Sequence, residues 1–384
     1  MTNVIVARTV SEVETLRPIL AAANWYRPDP DIDFFLTFVS ARPQSRRPHV
    51  VVATRAGTSA VAVARAERIR LHTSVGYRTV YQPAVRAITL VHSGISEPDD
   101  ESACRTLLGE LGRALADGHA DILLLPALRT DSALYREAVR LGGFLRRAHF
   151  TDRDTHRRLT LPPSFDEFLS SRGRKTRESI KRYRNRFLRA FGDDVSFGVR
   201  RDPADIDRVF RDLEHVAAKT YQRGLGVAFA DTDEQRELVR LGLDRGWFRA
   251  YVLYVRDVPI AFWPGYAYAG TFFIGTPGYD PEYVEYRVGL HVQMKLIEDL
   301  CRDPEIQALD YGFGDSEYKR RYGNEAWEEA DVALYAPTFR GVRVNMLRTA
   351  ILGAARTAKT ALAATQLEDR VKRRWRERLR PANK

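Results

Sequence analysis

One segment constrains the fold of this chain more than any other. It is residues 310–321, with the sequence Asp-Tyr-Gly-Phe-Gly-Asp-Ser-Glu-Tyr-Lys-Arg-Arg. The apolar residues just before them predict the end of a buried strand. Gly312 and Gly314 permit a sharp turn, and Asp315 or Ser316 can cap a short helix. The order strand, glycine turn and helix is typical of open α/β sheets, which bind ligands at the carboxyl ends of their strands. A lone pair of glycines is also compatible with a simple connection whose polar residues face water.

The composition indicates which kinds of ligand the protein can bind and in which kind of compartment it works. The chain has 384 residues, enough for two domains, and 61 Lys and Arg residues against 50 Asp and Glu residues give a net charge of +11. This balance favours anionic ligands or surfaces. Cys104 and Cys301 lie in apolar, helix-like patterns, so we expect buried thiols in a reducing compartment. The eight histidines show no paired ligand spacing, and no metal site is predicted.

Two segments bear on the cellular location. The N-terminal residues lack a basic region followed by a long apolar core, so no secretory signal is predicted and the expected location is the cytoplasm. Residues 258–279 form an uncharged run that is long enough to cross a membrane. Prolines and glycines interrupt its short aromatic and β-branched stretches, a pattern that favours a hairpin over a continuous helix.

The first half of the chain alternates strands and helices. A capping box at Ser11 and Glu14 predicts the first helix, and leucines at helical spacing predict another at residues 101–116. Strands are predicted at residues 4–10, 49–54, 60–69, 87–91 and 121–125, and a further helix at residues 132–141. This alternation predicts an α/β or α+β layer fold.

Residues 168–191 form the oddest part of the second half, because nearly all their charges are positive. Ile180, Tyr183, Phe187 and Phe191 recur at helical spacing, so a helix here would pack one apolar stripe inward and expose a basic face. That face is either a solvated surface or a dock for an anionic acceptor, an acidic lipid surface or nucleic acid.

A helix beginning at Val288 has the features of an anion site. Its first turn carries no acidic residue, Arg287 precedes it, and Gly289 has no side chain to obstruct a phosphate near the free N–H groups. Before this helix, the sequence predicts helices over residues 204–222 and 233–245 and a three-strand meander over residues 247–277.

Four motifs follow one another in the second half. They are Tyr279-Asp280-Pro281, the helix-start Gly289, Asp310-x-Gly-x-Gly and Tyr318-Lys319. Over residues 160–335 this arrangement resembles the GNAT superfamily of acyl-CoA-dependent N-acyltransferases, and more narrowly the CelD-like branch associated with cellulose biosynthesis. Arg287-Val288 stand where many members of that branch have Ser-Pro.

The resemblance implies an α/β (α+β) fold of two tandem GNAT-like modules plus a basic C-terminal helix. Residues 1–158 would form a degenerate module that binds no cofactor, residues 159–337 the acyltransferase module, and residues 338–384 a basic helical tail. The implied donor is acyl-CoA, most simply acetyl-CoA. Its expected binding residues are Arg287, Val288, Gly289 and Leu290 at the pyrophosphate and Thr276 beside the pantetheine arm.

The resemblance also implies catalytic roles for Tyr318 and Asp310. Tyr318 would protonate the leaving thiolate, and Asp310 would accept the proton of the amine directly or through water. The alternative for Asp310 is a carboxylate that only bonds to N–H groups of the turn. The residues expected around the acceptor are Tyr221, Asp315 and Lys319.

Two other functions are compatible with the sequence. A tandem GNAT-like enzyme similar to the Fem peptidoglycan-bridge enzymes would use aminoacyl-tRNA as its donor, and the basic regions would bind the RNA. A non-catalytic protein would use the same regions on anionic membrane or nucleic acid. No motif identifies the acceptor, which we expect to be an amine of a small molecule or of the cell envelope. Cationic residues around Trp375 predict peripheral contact of the tail with an anionic membrane.

Overall fold

The computed structural model describes residues 2–76, 78–224 and 228–364, without the side chains of residues 221, 222 and 359–364. Its strands are β1 (Asn3–Ala7), β2 (Arg46–Arg55), β3 (Thr58–Arg70), β4 (Thr73–Val75), β5 (Arg78–Tyr81), β6 (Ala84–Ile95), β7 (Ile122–Arg129), β8 (Arg153–Thr160), β9 (Val195–Arg200), β10 (Phe248–Val255), β11 (Val258–Tyr268), β12 (Thr271–Ile274), β13 (Gly278–Tyr279), β14 (Ala308–Phe313) and β15 (Glu325–Tyr335).

Its α-helices are α1 (Val10–Thr15), α2 (Arg17–Ala22), α3 (Ile32–Ser40), α4 (Glu101–Ala116), α5 (Ala133–Arg146), α6 (Phe165–Ser170), α7 (Arg174–Phe191), α8 (Ile206–Ala217), α9 (Tyr221–Gly224), α10 (Asp233–Asp244), α11 (Val288–Arg302), α12 (Glu317–Tyr322) and α13 (Phe339–Ala364). Short 3-10 helices occupy Gly192–Asp194, Pro203–Asp205 and Pro281–Tyr286.

Thirteen strands form one continuous mixed sheet. Their order is β1-β2-β3-β6-β7-β15-β8-β14-β12-β11-β10-β9, and β13 pairs with β11. Strands β4 and β5 form a separate two-stranded ribbon. Apolar residues of α4 and α5 pack on the first half of the sheet, and those of α11 pack on the second half. The mixed α/β fold predicted from the order of elements is confirmed.

The two halves of the sheet repeat one arrangement. Helix α4 connects the parallel strands β6 and β7 in the first half, and α11 lies between the parallel strands β12 and β14 in the second. Each parallel pair is followed by a helix and a further strand, α5 with β8 and α12 with β15. Two modules of similar design therefore lie in tandem, as the sequence predicted.

The last strands of the two modules are exchanged. Strand β15 pairs with β7 of the first half on one side and with β8 on the other, while β8 pairs with β14 of the second half. Local patterns cannot predict this exchange, because they carry no information on which distant strand will be the partner. The predicted domain boundary between residues 158 and 159 falls inside β8.

Several local predictions are confirmed. Helix α4 occupies the predicted residues, α11 begins at Val288, and the uncharged run contains the hairpin of β11 and β12. Strand β10 is buried along its whole length, which explains why its apolar residues do not alternate. Cys104 is buried as predicted, whereas Cys301, which was also predicted to be buried, is only half-buried; both thiols are free. No helix in the described part of the chain is long and apolar enough to cross a membrane.

The basic segment forms two helices, where the sequence predicted one. Helix α6 ends at Ser170, and Gly173 precedes α7 in an extended conformation, which interrupts the helix. In α7 only Phe187 is fully buried, and most of the basic residues are exposed. Helix α13 ends at Ala364, so the strongly basic end of the predicted tail lies outside the described residues.

Candidate functional site

The site is built where two parallel strands part. Strands β12 and β14 pair over three positions, the last of which is Phe273 with Asp310. Beyond that point β12 ends, while β14 continues alongside β8. Gly312 and Gly314 follow with φ of 72° and 99°, a region that favours glycine, and the chain then enters α12. The predicted strand, glycine turn and helix are confirmed, and they leave an opening between β12 and β14.

Asp310 lies at this opening and is fully engaged in hydrogen bonds. One carboxylate oxygen accepts from Nε2 of His156 and from the N–H of Gly312, both at 2.7 Å. The other accepts from the hydroxyl of Tyr26 at 3.1 Å. Burial opposes ionisation of Asp310, but the hydrogen bond and charge of His156 hold the pKa of Asp310 below its usual value. Asp310 is therefore a carboxylate at neutral pH.

His156 lies between two carboxylates. Beyond the bond to Asp310, its Nδ1 is 3.0 Å from Glu329, close enough for an ion pair although the geometry is not that of a hydrogen bond. The ring of Trp327 stacks on the imidazole at 4.4 Å, and its indole N–H donates to Glu329 at 2.8 Å. Burial disfavours the charged imidazole, but the two carboxylates outweigh burial and raise the pKa of His156. The three groups form one buried ionic cluster.

Tyr318 lies on the other face of the sheet. Adjacent strand residues point to opposite faces, so Tyr311 faces α11 while Asp310 faces Tyr26. The ring of Tyr318 contacts Tyr311 at 6.0 Å and Trp263 at 5.7 Å between centroids. Tyr318 and Asp310 therefore approach the opening from opposite sides.

The hydroxyl of Tyr318 is available to a ligand. None of the hydrogen bonds among the described residues involves it, and burial raises the pKa of Tyr318 to about 12. The phenol is therefore protonated at neutral pH and has a proton to donate.

The start of α11 fits a phosphate group. No side chain caps the helix, and no acidic residue lies in its first turn. A Cβ placed on Gly289 would meet only the ring of Tyr279, at 4.0 Å, so the space beside the helix is open. Arg287 holds a left-handed conformation with φ of 55°, which is uncommon for residues other than glycine. Its guanidinium lies 5.6 Å from the ring of Tyr183 of α7.

The other predicted donor residues lie in the segment that follows β12 and in the first turn of α11. Val288 is buried under the helix start and Leu290 is half-buried. Thr276 is exposed in the segment that follows β12. These residues lie at the two ends of the connection from β12 to α11.

The predicted acceptor residues are engaged elsewhere. The ammonium of Lys319 is buried and donates to the carbonyls of Gly312 and Phe313 at 3.2 and 2.7 Å, and burial lowers the pKa of Lys319. Asp315 accepts from Arg157 at 2.6 Å. As placed, both side chains stabilise the glycine turn. The side chain of Tyr221 lies outside the described part of the structure.

Three residues of the site were missed by the sequence analysis: Tyr26, His156 and Glu329. None lies in a motif, and Tyr26 and His156 come from elements distant in sequence from Asp310. Strand β8, which carries His156, was itself not predicted because its residues are mainly polar. Among the described residues, no group of three or more histidine, cysteine or acidic side chains is placed to hold a metal ion.

Part of the second half is similar to a known protein family. Residues 174–320 match the family model described as an acetyltransferase (GNAT) domain. This match spans α7 to α12 and includes the parting strands, the start of α11 and Tyr318. No curated protein matches the sequence.

Solved structures resemble nearly the whole chain in fold. FemX shares 9% identity, with 86% of this chain and 96% of that chain covered and a TM-score of 0.56. The C-terminal domain of a putative lysylphosphatidylglycerol synthetase from Agrobacterium fabrum shares 10% identity, with 90% and 98% covered and a TM-score of 0.52. A protein of unknown function from Bacteroides thetaiotaomicron shares 12% identity, with 86% and 100% covered and a TM-score of 0.50.

At such identities the structures indicate the shared fold, and the family model indicates the domain. Residues 174–320 match a GNAT acetyltransferase domain, and the whole chain has a fold of two similar α/β modules in tandem.

Proposed function

We propose that this protein transfers an acyl group, most simply acetyl, from acyl-CoA to the amine of an acceptor. The observation that carries the proposal is the opening between β12 and β14. A protonated phenol, Tyr318, lies on one face of it and a buried carboxylate, Asp310, on the other. A thioester is already activated, so the chain need only position the amine, remove its proton and protonate the leaving thiolate.

The start of α11 would bind the pyrophosphate of the donor. Its uncapped N–H groups and the positive end of the helix dipole favour an anion, and Arg287 adds a full positive charge. The open space beside Gly289 lets phosphate oxygens reach the backbone. The pantetheine arm would run past Thr276 into the opening beside β12.

Tyr318 would act as the general acid. A thiol has a reference pKa of about 8.5, well below the pKa of about 12 that burial gives Tyr318. Proton transfer between them therefore requires the thiolate to be held close to the phenol, which the neighbouring Trp263 and Tyr311 orient.

Asp310 would receive the proton of the amine through Tyr26. Asp310 is only 1% exposed and one of its oxygens accepts from the hydroxyl of Tyr26, so an amine would reach it through Tyr26. Tyr26 is 36% exposed, and its hydroxyl oxygen can accept the proton of the amine as its own proton passes to Asp310. His156 and Glu329 hold Asp310 in place for this step.

The acceptor would be an amine of a small molecule or of the cell envelope, held on the Tyr26 face. We keep Tyr221, Asp315 and Lys319 as candidates for contact with it, the last two by shaping the glycine turn. We expect the enzyme to work in the cytoplasm and its basic tail to make peripheral contact with anionic membranes.

A direct test is to incubate the purified protein with acetyl-CoA and a panel of amines and to measure the release of free thiol. An amine-dependent release that Tyr318→Phe reduces supports the proposal. If CoA fails to bind in calorimetry and no amine stimulates thiol release, the proposal is wrong.

We also propose that the domain lies in the CelD-like branch. Asp280 of the Tyr-Asp-Pro loop is buried, accepts from Lys219 at 2.6 Å and caps the 3-10 helix that leads into α11. The motif thus supports the loop before the donor site. Asp280→Ala should loosen that loop and weaken CoA binding, and unchanged CoA affinity would argue against this role.

The second candidate donor is aminoacyl-tRNA, as in the Fem enzymes. Two observations favour it: the fold resemblance to FemX, and the exposed basic face of α7 beside the start of α11. Strong tRNA binding at moderate salt together with weak CoA binding would favour this donor. Tight CoA binding that persists at high salt would favour acyl-CoA.

A further inference from the structure

The first module contains a cavity of about 880 Å³ that the proposed reaction does not use. Strand β4 and the start of the β4–β5 turn form one wall, β15 forms the floor, and α13 covers it. Most of its lining is apolar, including Leu71, Phe150, Leu352 and Ala355. A cavity of this size and character is typical of sites for small ligands.

The cavity lies where the parallel strands of the first module part. Strands β6 and β7 pair over three positions, the last of which is Thr89 with Leu124, and both of these residues line the cavity. The opening between β12 and β14 occupies the equivalent place in the second module. The first module thus has a cavity at the point where the second has its candidate active site.

The helix that follows β6 is unsuited to a phosphate. Asp100 caps α4 by accepting from the N–H groups of Ser102 and Ala103, and Glu101 lies in the first turn. These carboxylates neutralise the end of the helix that is open in α11. The ligand of the cavity is therefore of another chemical class than CoA.

One polar group of the lining lacks a partner, and one arginine lacks an acidic partner. The hydroxyl of Thr89, a residue only 7% exposed, makes no hydrogen bond within the described structure. Arg348 on α13 forms no ion pair with any described carboxylate; its guanidinium lies 3.5 Å from the carbonyl of His72 and beside the hydroxyl of Tyr335. An anion beside Arg348 would find a positive charge without a competing acid.

The cavity is long in one direction and its two ends differ. Asp331 and Tyr335, which both line it, are four residues apart on β15 and so are separated by about 13 Å. Tyr335 lies at the end near Arg348. At the other end, burial raises the pKa of Asp331, which favours its uncharged form. Arg356 and Asp152 also line the cavity, and most of the remaining lining is apolar, so an amphiphile with one anionic group would find both a positive charge and an apolar length.

We propose that this cavity binds a medium-length fatty acid, with its carboxylate at Arg348 and its hydrocarbon chain along β15 under α13. The proposal is independent of the donor and acceptor proposed for the second module. Binding would be measured on the whole protein, without any acyl donor.

The test is competition of decanoate and decanol with the fluorescence of bound anilinonaphthalene sulfonate. Ala355→Trp places an indole in the cavity and should weaken decanoate binding by about tenfold or more. Ala354→Trp makes the same change at the preceding residue of the same helix. Ala354 does not line the cavity, so this variant should bind decanoate like the parent. Arg348→Met should weaken decanoate binding by about tenfold and leave decanol binding unchanged, since only decanoate carries a charge.

Each outcome decides the proposal. No competition by decanoate in the parent, or equal effects of the two tryptophan variants in folded protein, would overturn it. Thermal unfolding shows whether a tryptophan variant fails to fold. In that case Arg348→Met still tests the proposal, because it introduces no bulky side chain into the cavity. Equal losses of decanoate and decanol in that variant would show that the carboxylate is not bound at Arg348.

Discussion

Nε2 of His156 donates to Asp310 at 2.7 Å, although the two residues are 154 positions apart in the chain. His156 belongs to β8, the strand that the first module contributes to the second, and Asp310 belongs to β14. Glu329 on β15 and Tyr26 complete the group. The buried ionic cluster of the candidate site thus exists only because the two modules exchange strands.

Replacing His156 should destabilise the protein and change how its stability depends on pH. His156→Gln leaves Asp310 and Glu329 as buried carboxylates without a cation, a change that costs about 3 kcal/mol or more. Because folding raises the pKa of His156, its contribution to stability is complete below about pH 6.5 and is lost as the pH rises through the raised value.

Asp310, whose pKa folding lowers, contributes above about pH 3.9 and loses its contribution as the pH falls. The free energy of unfolding of the parent should therefore decline between about pH 6 and 9 more steeply than that of His156→Gln. Urea unfolding at several pH values measures this. His119→Gln, at an exposed histidine, is the control, and parallel pH curves for parent and His156→Gln would contradict the assignment.

Removing the hydroxyl of Tyr318 should slow the reaction without affecting the donor's affinity. Tyr318→Phe should lower kcat and kcat/KM together by about 100-fold, because the phenol acts only when the thiolate leaves. Tyr322→Phe makes the same change one turn later in α12 and should retain activity near that of the parent. Steady-state kinetics and CoA calorimetry measure both effects. If Tyr318→Phe reacts as fast as the parent, another group is the acid.

Gly289→Glu should abolish CoA binding while the protein stays folded. The new side chain would occupy the open space beside α11, and its negative charge would repel phosphate. Gly109→Glu is a matched control, since Gly109 also lies in a helix with no atom near its missing Cβ, but in α4. Calorimetric titration with CoA compares the two. An unaltered affinity in Gly289→Glu would place the donor elsewhere.

Tyr26→Phe should lower kcat/KM for the amine by about tenfold, because it removes the route from the amine to Asp310. Its effect should be greatest at low pH, where the amine is charged and must lose a proton. Tyr268→Phe is the control, since Tyr268 also donates to an aspartate, Asp31, at 3.1 Å. Kinetics across pH 6 to 9 measure the difference. Similar losses in both variants would mean that Tyr26 has only a structural role.

The local features of the candidate site could be predicted from the sequence. Gly312 and Gly314 adopt the positive φ values that their turn requires, and the uncapped helix begins at Val288 as its residues indicated. These features depend only on residues that are close together in the sequence, so a short segment is enough to predict them. The order of elements likewise predicted an α/β or α+β layer fold, and the family resemblance implied its two modules.

Only the tertiary structure decided which side chains meet. It placed Tyr318 and Asp310 on opposite faces of the sheet, directed Lys319 to the carbonyls of the turn, and brought His156 to Asp310. The physical reason is that strand pairing and ion pairing join residues far apart in sequence. The residues of a polar strand such as β8 do not indicate which distant strand will pair with it.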